Sequence, residues 1–181
     1  MQQQTNLSHG LKWGLLIGAA YIILLYARYA SAASNPIMMG LWTLIGYGIV
    51  VAMLAVCGFK LRKKNGGIID VKEAFKVLFL AVLIFELCYT VFNFIYLKYI
   101  NPNFFKVYRD SMAVLLEKSG QPQARTDEML KTIDVDAGSQ MSVFDLLKAY
   151  LVSISVSGIV ALILALIIKK KPAATSTGSF S

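Results

Sequence analysis

The chain is short of the side chains that do chemistry. Its 181 residues include one histidine, His9, so no histidine-based metal site can form within a single copy. There are two cysteines. Cys57 and Cys88 fall inside apolar stretches at different depths, which argues against a disulfide and for small buried hydrophobes. No Gly-x-x-x-x-Gly-Lys phosphate loop and no Gly-x-Ser-x-Gly nucleophile elbow occurs. Charge is scarce too: charged residues make up 15% of the chain against 57% hydrophobic. That leaves too little polar surface to cover the core of a water-soluble domain of this length. With no nucleophile–base pair and no compact ligand set, the sequence assigns no catalytic residue, no metal site and no cofactor. Asp127, Glu128, Asp134 and Asp136 could hold calcium only weakly, since they lack a ligand loop; they read as a solvated polar face.

What the chain does have is apolar length. Residues 11–29, 37–59, 77–97 and 149–168 are each about as long as a helix that crosses a hydrocarbon core. The expected fold is therefore all-α: a polytopic membrane protein with four transmembrane helices in one domain, 1–171, and the lipid bilayer as its first partner. The net charge of +8 sits where such a protein needs it. Lys60, Arg62, Lys63 and Lys64 follow the second run, and Lys169, Lys170 and Lys171 follow the fourth. Basic residues flush against membrane helices stay on the cytoplasmic side. An even helix count then puts both clusters and both termini inside, and the outer segment, 98–148, carries as many acids as bases. The positive charge thus sets topology and secondarily attracts anionic head groups; nucleic acid is not the expected partner. Ala30-Ser31-Ala32 resembles a signal-peptidase site. The full-span length of the first run and its glycine pattern favour a retained helix.

Local signals place the helix ends. Gly66-Gly67 breaks the second helix, and Asp70 with Glu73 three residues on has the form of a capping box that starts the third. Asn101-Pro102-Asn103 ends that helix. Phe104–Lys118 carries Phe104, Phe105, Tyr108, Met112, Leu115 and Leu116 at near-helical spacing, with Gly120 as C-cap. It reads as an amphipathic helix on the membrane surface or across the bundle mouth. A second short helix, Gln123–Ile133, and a polar linker, Asp134–Gln140, follow. Ser142 and Asp145 repeat the capping signature at the start of the fourth helix. Residues 172–181, rich in Ala, Ser, Thr and Gly, are expected to form a disordered cytoplasmic tail.

Glu86 is the only acid within the four runs. An ionised carboxylate near the middle of a span costs at least about 2.5–3.5 kcal/mol. Thr90 at i+4 and Asn93 at i+7 share its face. Two readings stand: a proton- or cation-binding group facing a polar interior, or a protonated acid that hydrogen-bonds across helices and fixes their packing. Small residues form two stripes, Gly10, Gly14 and Gly18 on the first helix and Ser153, Ser157 and Ala161 (continued by Ala165) on the fourth. Such stripes let helices approach closely; they could join the first helix to the fourth, or one chain to another. Tyr26, Tyr29, Tyr96, Tyr99, Phe104 and Phe105 near the outer ends fit an interfacial belt, and Arg28 fits a side chain snorkelling to the interface.

Gly66-Gly67-Ile68-Ile69-Asp70-Val71-Lys72-Glu73-Ala74-Phe75-Lys76, then Tyr99-Ile100-Asn101-Pro102, a helical outer segment and a last helix ending in Lys169-Lys170-Lys171 resemble an uncharacterised bacterial inner-membrane family, domain of unknown function 4199. The resemblance covers nearly the whole chain. It implies a four-helix inner-membrane protein with a long outer segment between helices three and four, and carries over no activity and no site residues. The expected function is a non-enzymatic membrane protein that packs with itself or with a membrane partner through its glycine and serine faces, the outer helices presenting the contact surface. The alternative is a small oligomeric transporter or channel-like protein using Glu86.

Overall fold

The computed structural model describes residues 2–32 and 34–170. The helices are α1 (Gln2–Ala32), α2 (Pro36–Lys64), α3 (Val71–Ile95), α4 (Phe104–Lys118), α5 (Gln123–Lys131), α6 (Ala137–Gln140) and α7 (Val143–Ile168), with a π-helical turn, Tyr96–Ile100, extending α3. Four stretches are long and apolar enough to cross a membrane: Asn6–Ala32, Pro36–Lys64, Val71–Ile100 and Val143–Ile168. The protein is an all-α polytopic membrane protein.

Helix ends follow local chemistry. Asn35 caps α2 through a bond from the Ile37 amide (3.1 Å), with Pro36 in the first turn, where its missing N–H costs nothing. Gly66 and Gly67, at φ +70° and +85°, turn the chain out of α2. Asp70 accepts the Glu73 amide (2.7 Å) and starts α3. The expected box is only half made there, because the Glu73 carboxylate takes the Asn6 amide instead. Ser142 and Asp145 form the complete reciprocal box at the start of α7. α4 has the expected range, ending at Lys118, and Gly120, φ +67°, turns the chain out of it. α5 stops at Lys131, short of Ile133, and the expected polar linker contains the one-turn α6. α1 begins well before residue 11, at Gln2, and runs through Ala30-Ser31-Ala32. Its first turns find partners on neighbouring helices: Asn6 on Glu73, and His9 Nε2 3.2 Å from the Cys57 carbonyl of α2.

α3 packs against both α1 and α7, and α2 closes the ring by touching the same two helices. The glycine stripe makes the α1–α3 contact. A Cβ at Gly10 would lie 2.7 Å from the Val77 carbonyl, at Gly14 2.8 Å from the Ala81 carbonyl, and at Gly18 2.9 Å from Cys88 Cβ. Of the two joins the stripes allow, that between the first and fourth helices is corrected: both α1 and α7 pack on α3. On α7, Ser157, Ala161 and Ala165 are buried and Ser153 is half-buried. Gly58 of α2 makes room for Ile168 of α7.

Both basic clusters lie at one end of the bundle. Ile69 and Lys170 exchange backbone hydrogen bonds (3.1 and 3.0 Å), and Arg62 reaches the Ile168 carbonyl (3.4 Å). Lys60 lies over the Trp13 ring (5.2 Å), while Lys63, Lys64, Lys169 and Lys170 are exposed. Lys171 and the expected tail, 172–181, lie outside the described residues.

At the opposite end the outer segment folds back onto the bundle. Phe104 is fully buried against Tyr29 (ring centroids 4.8 Å apart), and Tyr29 stacks on Tyr96 at 4.6 Å. Lys98 Nζ donates to the Met141 carbonyl (2.7 Å), and Gly138 fits against the Leu97 carbonyl. The expected aromatic belt is thus corrected in part. Tyr26 and Tyr99 are exposed as a belt requires, but Tyr29, Tyr96 and Phe104 form an internal cluster that fastens α4 over the bundle mouth.

Candidate functional site

Glu86 is 2% exposed, in the middle of α3. Its polar partner comes from another helix, α7. The Ser157 hydroxyl donates to Glu86 Oε1. A second bond ties the same two helices: the Tyr150 hydroxyl donates to the Leu83 carbonyl at 3.2 Å. Thr90 is buried one turn on, and its Oγ1 has no hydrogen-bond partner among the described residues. Asn93 turns to α1, where the Tyr29 hydroxyl donates to its Oδ1. The three stripe residues thus keep their shared face but serve different interfaces. Glu86 clamps α3 to α7, and Asn93 clamps α3 to α1.

Between these clamps lies a polar, aromatic interior. Tyr21 of α1 is buried edge-on to Tyr89 (5.6 Å) and Phe85 (6.0 Å) of α3, and beside Tyr47 of α2 (6.2 Å). Gly46 makes room for it: a Cβ there would come 2.9 Å from the Tyr21 ring. Arg28 does not snorkel outward. Its guanidinium lies over the Tyr29 ring at 5.4 Å, within electrostatic reach of Tyr89, and buries Nε without a partner among the described residues. The cause is geometric. Helix side chains lean toward their own N-terminus, so an arginine near the C-terminal end of α1 has its stem aimed back into the bundle. Glu86 is within electrostatic reach of Tyr21, Tyr47, Tyr89 and Tyr150, and Arg28 of the first three. Spacing could have shown part of this: Tyr21 and Arg28 are seven residues apart, hence on one face of α1. The α2 and α3 members could not be assigned to it without the packing.

This interior can hold helices together. It offers one acid, one guanidinium and several phenols, and no group of three or more His, Cys, Asp or Glu residues that could hold a metal ion among the described residues. Cys57 and Cys88 are free thiols, Cys57 buried and Cys88 half-buried. Glu86 lines none of three cavities at the protein surface. The first, of about 550 Å³, lies by Asn6 and Glu73 at the basic end. The second, about 410 Å³, is a groove between α4 and α5 lined by Tyr108, Met112, Glu128, Met129, Thr132 and Ile133. The third, about 350 Å³, is a shallow apolar groove on the flank of α3 and α7.

A family model described as "Protein of unknown function (DUF4199)" matches residues 12–170. No curated protein and no solved structure matches the chain.

Proposed function

The chain belongs to the family of unknown function DUF4199, and on that footing we propose that it is a non-enzymatic, partner-binding protein of the bacterial inner membrane, with both termini cytoplasmic. The observation that carries this reading is how the molecule uses its polar groups. Glu86 is closed off by Ser157 and Asn93 by Tyr29, while the groove between α4 and α5 stays open toward the other side. The glycine stripe is spent inside the chain on α3, so the contact surface falls to the outer helices. Ordering such a segment costs roughly 1–2 kcal/mol per residue in backbone entropy, and it is fixed by specific contacts: Phe104 on Tyr29, Lys98 on Met141, Gly138 on Leu97. A rigid platform with a groove lined by Tyr108, Met112 and Met129 suits capture of an apolar segment of a second membrane protein or of another copy.

The test is site-specific photocrosslinking from position 129 in native membranes, with position 163 on the lipid-facing side of α7 as control. A discrete adduct from 129 that position 163 does not give supports the reading; equal, diffuse labelling from both overturns it. One observation favours the transport alternative: Thr90 Oγ1 is buried and unpaired one turn from Glu86. Proton or cation flux in liposomes that disappears in Glu86→Gln would favour that alternative.

A further inference from the structure

At the end of the bundle that carries the basic loop, α1, α2 and α3 leave a cavity of about 550 Å³. Its walls bring together two acids, Asp70 and Glu73, two lysines, Lys72 and Lys76, and the amide of Asn6; Leu7, Ile68 and Val77 supply an apolar side. Asn6 is 2% exposed. Its Nδ2 donates to Glu73 Oε1 and to Asn65 Oδ1 (3.4 Å), which fixes the orientation of the amide. Its Oδ1 is left buried with no partner among the described residues. A buried acceptor without a donor is a standing cost in a folded protein. The groups that contact the amide, the Glu73 carboxylate and the Asn65 side-chain carbonyl, are acceptors too, and no donor among the described residues reaches Asn6 Oδ1, so what would satisfy it is a donor entering the cavity.

We propose that this cavity binds the head group of an aminophospholipid. The primary ammonium sits among Glu73, Asp70 and Asn6 Oδ1, giving one acceptor to each of its three N–H groups. The phosphodiester lies against Lys72 and Lys76, which are exposed. The first carbons of the acyl chains run along Leu7, Ile68 and Val77. Charge selects this class: two acids and two lysines cancel, which matches a zwitterion better than an anionic lipid, and the lysines disfavour a bare metal cation. Hydrogen bonding narrows it further. A quaternary ammonium carries no N–H and would leave Asn6 Oδ1 as it is, and sites built to bond a donor reject analogues that lack one.

The experiment is native mass spectrometry of the full-length protein in detergent. It is offered phosphatidylethanolamine, phosphatidylcholine and phosphatidylglycerol with identical acyl chains, and separately soluble phosphoethanolamine. The expected result is retention of phosphatidylethanolamine over phosphatidylcholine by about tenfold, the scale of a lost charge-assisted hydrogen bond, with the preference abolished in Glu73→Gln. Asp70→Asn keeps the helix cap while removing the charge; it must also weaken the preference, and it carries the test should Glu73→Gln fail to fold. Equal retention of the two lipids by the parent, or a preference that survives both substitutions, overturns the proposal. Binding of soluble phosphoethanolamine as tight as that of the lipid overturns a lipid as the ligand.

Discussion

The α1–α3 contact is the sharpest place to test the physics of this bundle, and Gly14→Ala is the perturbation. A methyl group at Gly14 would stand 2.7 Å from Ile84 Cβ, 2.8 Å from the Ala81 carbonyl oxygen and 3.1 Å from Ala81 Cα. Two of these are backbone atoms that no side-chain rotation can move. Ordinary contact begins near 3.4 Å, so the helices must part by about 0.6–0.7 Å. A gap of roughly 0.5–1 Å forfeits a quarter to a half of each dispersion contact along the seam. In a bilayer that loss is not offset, because no hydrophobic effect holds apolar helices together against lipid. Overpacking of this kind costs about 1–3 kcal/mol. Gly48→Ala is the matched control. It adds the same methyl to a transmembrane helix at a position with nothing within 4 Å, so only the helix-propensity gain, up to about 1 kcal/mol, remains. Reversible unfolding in mixed micelles, followed by circular dichroism, should place Gly14→Ala below the parent and Gly48→Ala at or above it. Gly14→Leu should unfold or dissociate the bundle outright. If the two alanine variants agree within about 0.5 kcal/mol, close backbone approach does not hold α1 to α3.

Three further outcomes are expected. Ser157→Ala removes the donor to Glu86 and should destabilise by about 0.6 kcal/mol, up to roughly 1.7, the range for interhelical hydrogen bonds in membranes; Glu86→Gln keeps a bonding group and should cost less, and the reverse order would show that the Ser157 contact does not matter to folding. Phe104→Ala empties a fully buried site between Tyr29 and Tyr108 and should cost about 3–5 kcal/mol locally, seen as new proteolytic cleavage near Gly120; an unchanged digestion pattern would mean the cluster does not fasten α4. Intact-mass measurement of the purified protein should show α1 retained, since Gly10, Gly14 and Gly18 seat it on α3; a mass lacking residues 1–32 would refute this.

How much of this was legible in the sequence depends on how far each interaction reaches along the chain. Caps were legible because their partners sit three residues apart, as at Asp70–Glu73 and Ser142–Asp145, and spans were legible because a bilayer demands a fixed apolar length. The glycine stripe was legible as a stripe, but the helix it faces is set by the order of helices around the ring, which no local pattern encodes. The start of α1 lies outside the expected apolar run, 11–29, for the same reason: the anchors of its polar first turns, Glu73 and Cys57, are 67 and 48 residues away from Asn6 and His9. Arg28 and the outer aromatics were misread by a rule that holds for isolated helices. A belt residue faces head groups only if nothing folds over it, and here α4 does.

Along the sequence Glu86 and the glycines are separate features, one chemical and one architectural. On α3 they belong to one design. Ala81 and its neighbours Val77 and Cys88 receive bare backbone from α1, and Glu86 receives a hydroxyl from α7. Each is a means of holding two helices together without the hydrophobic effect: dispersion at close range on one side, a hydrogen bond with no water to compete on the other. That pairing makes α3 the axis of the bundle. It also gives an acid at mid-membrane a packing role, since its carboxyl group accepts a hydroxyl across the α3–α7 interface.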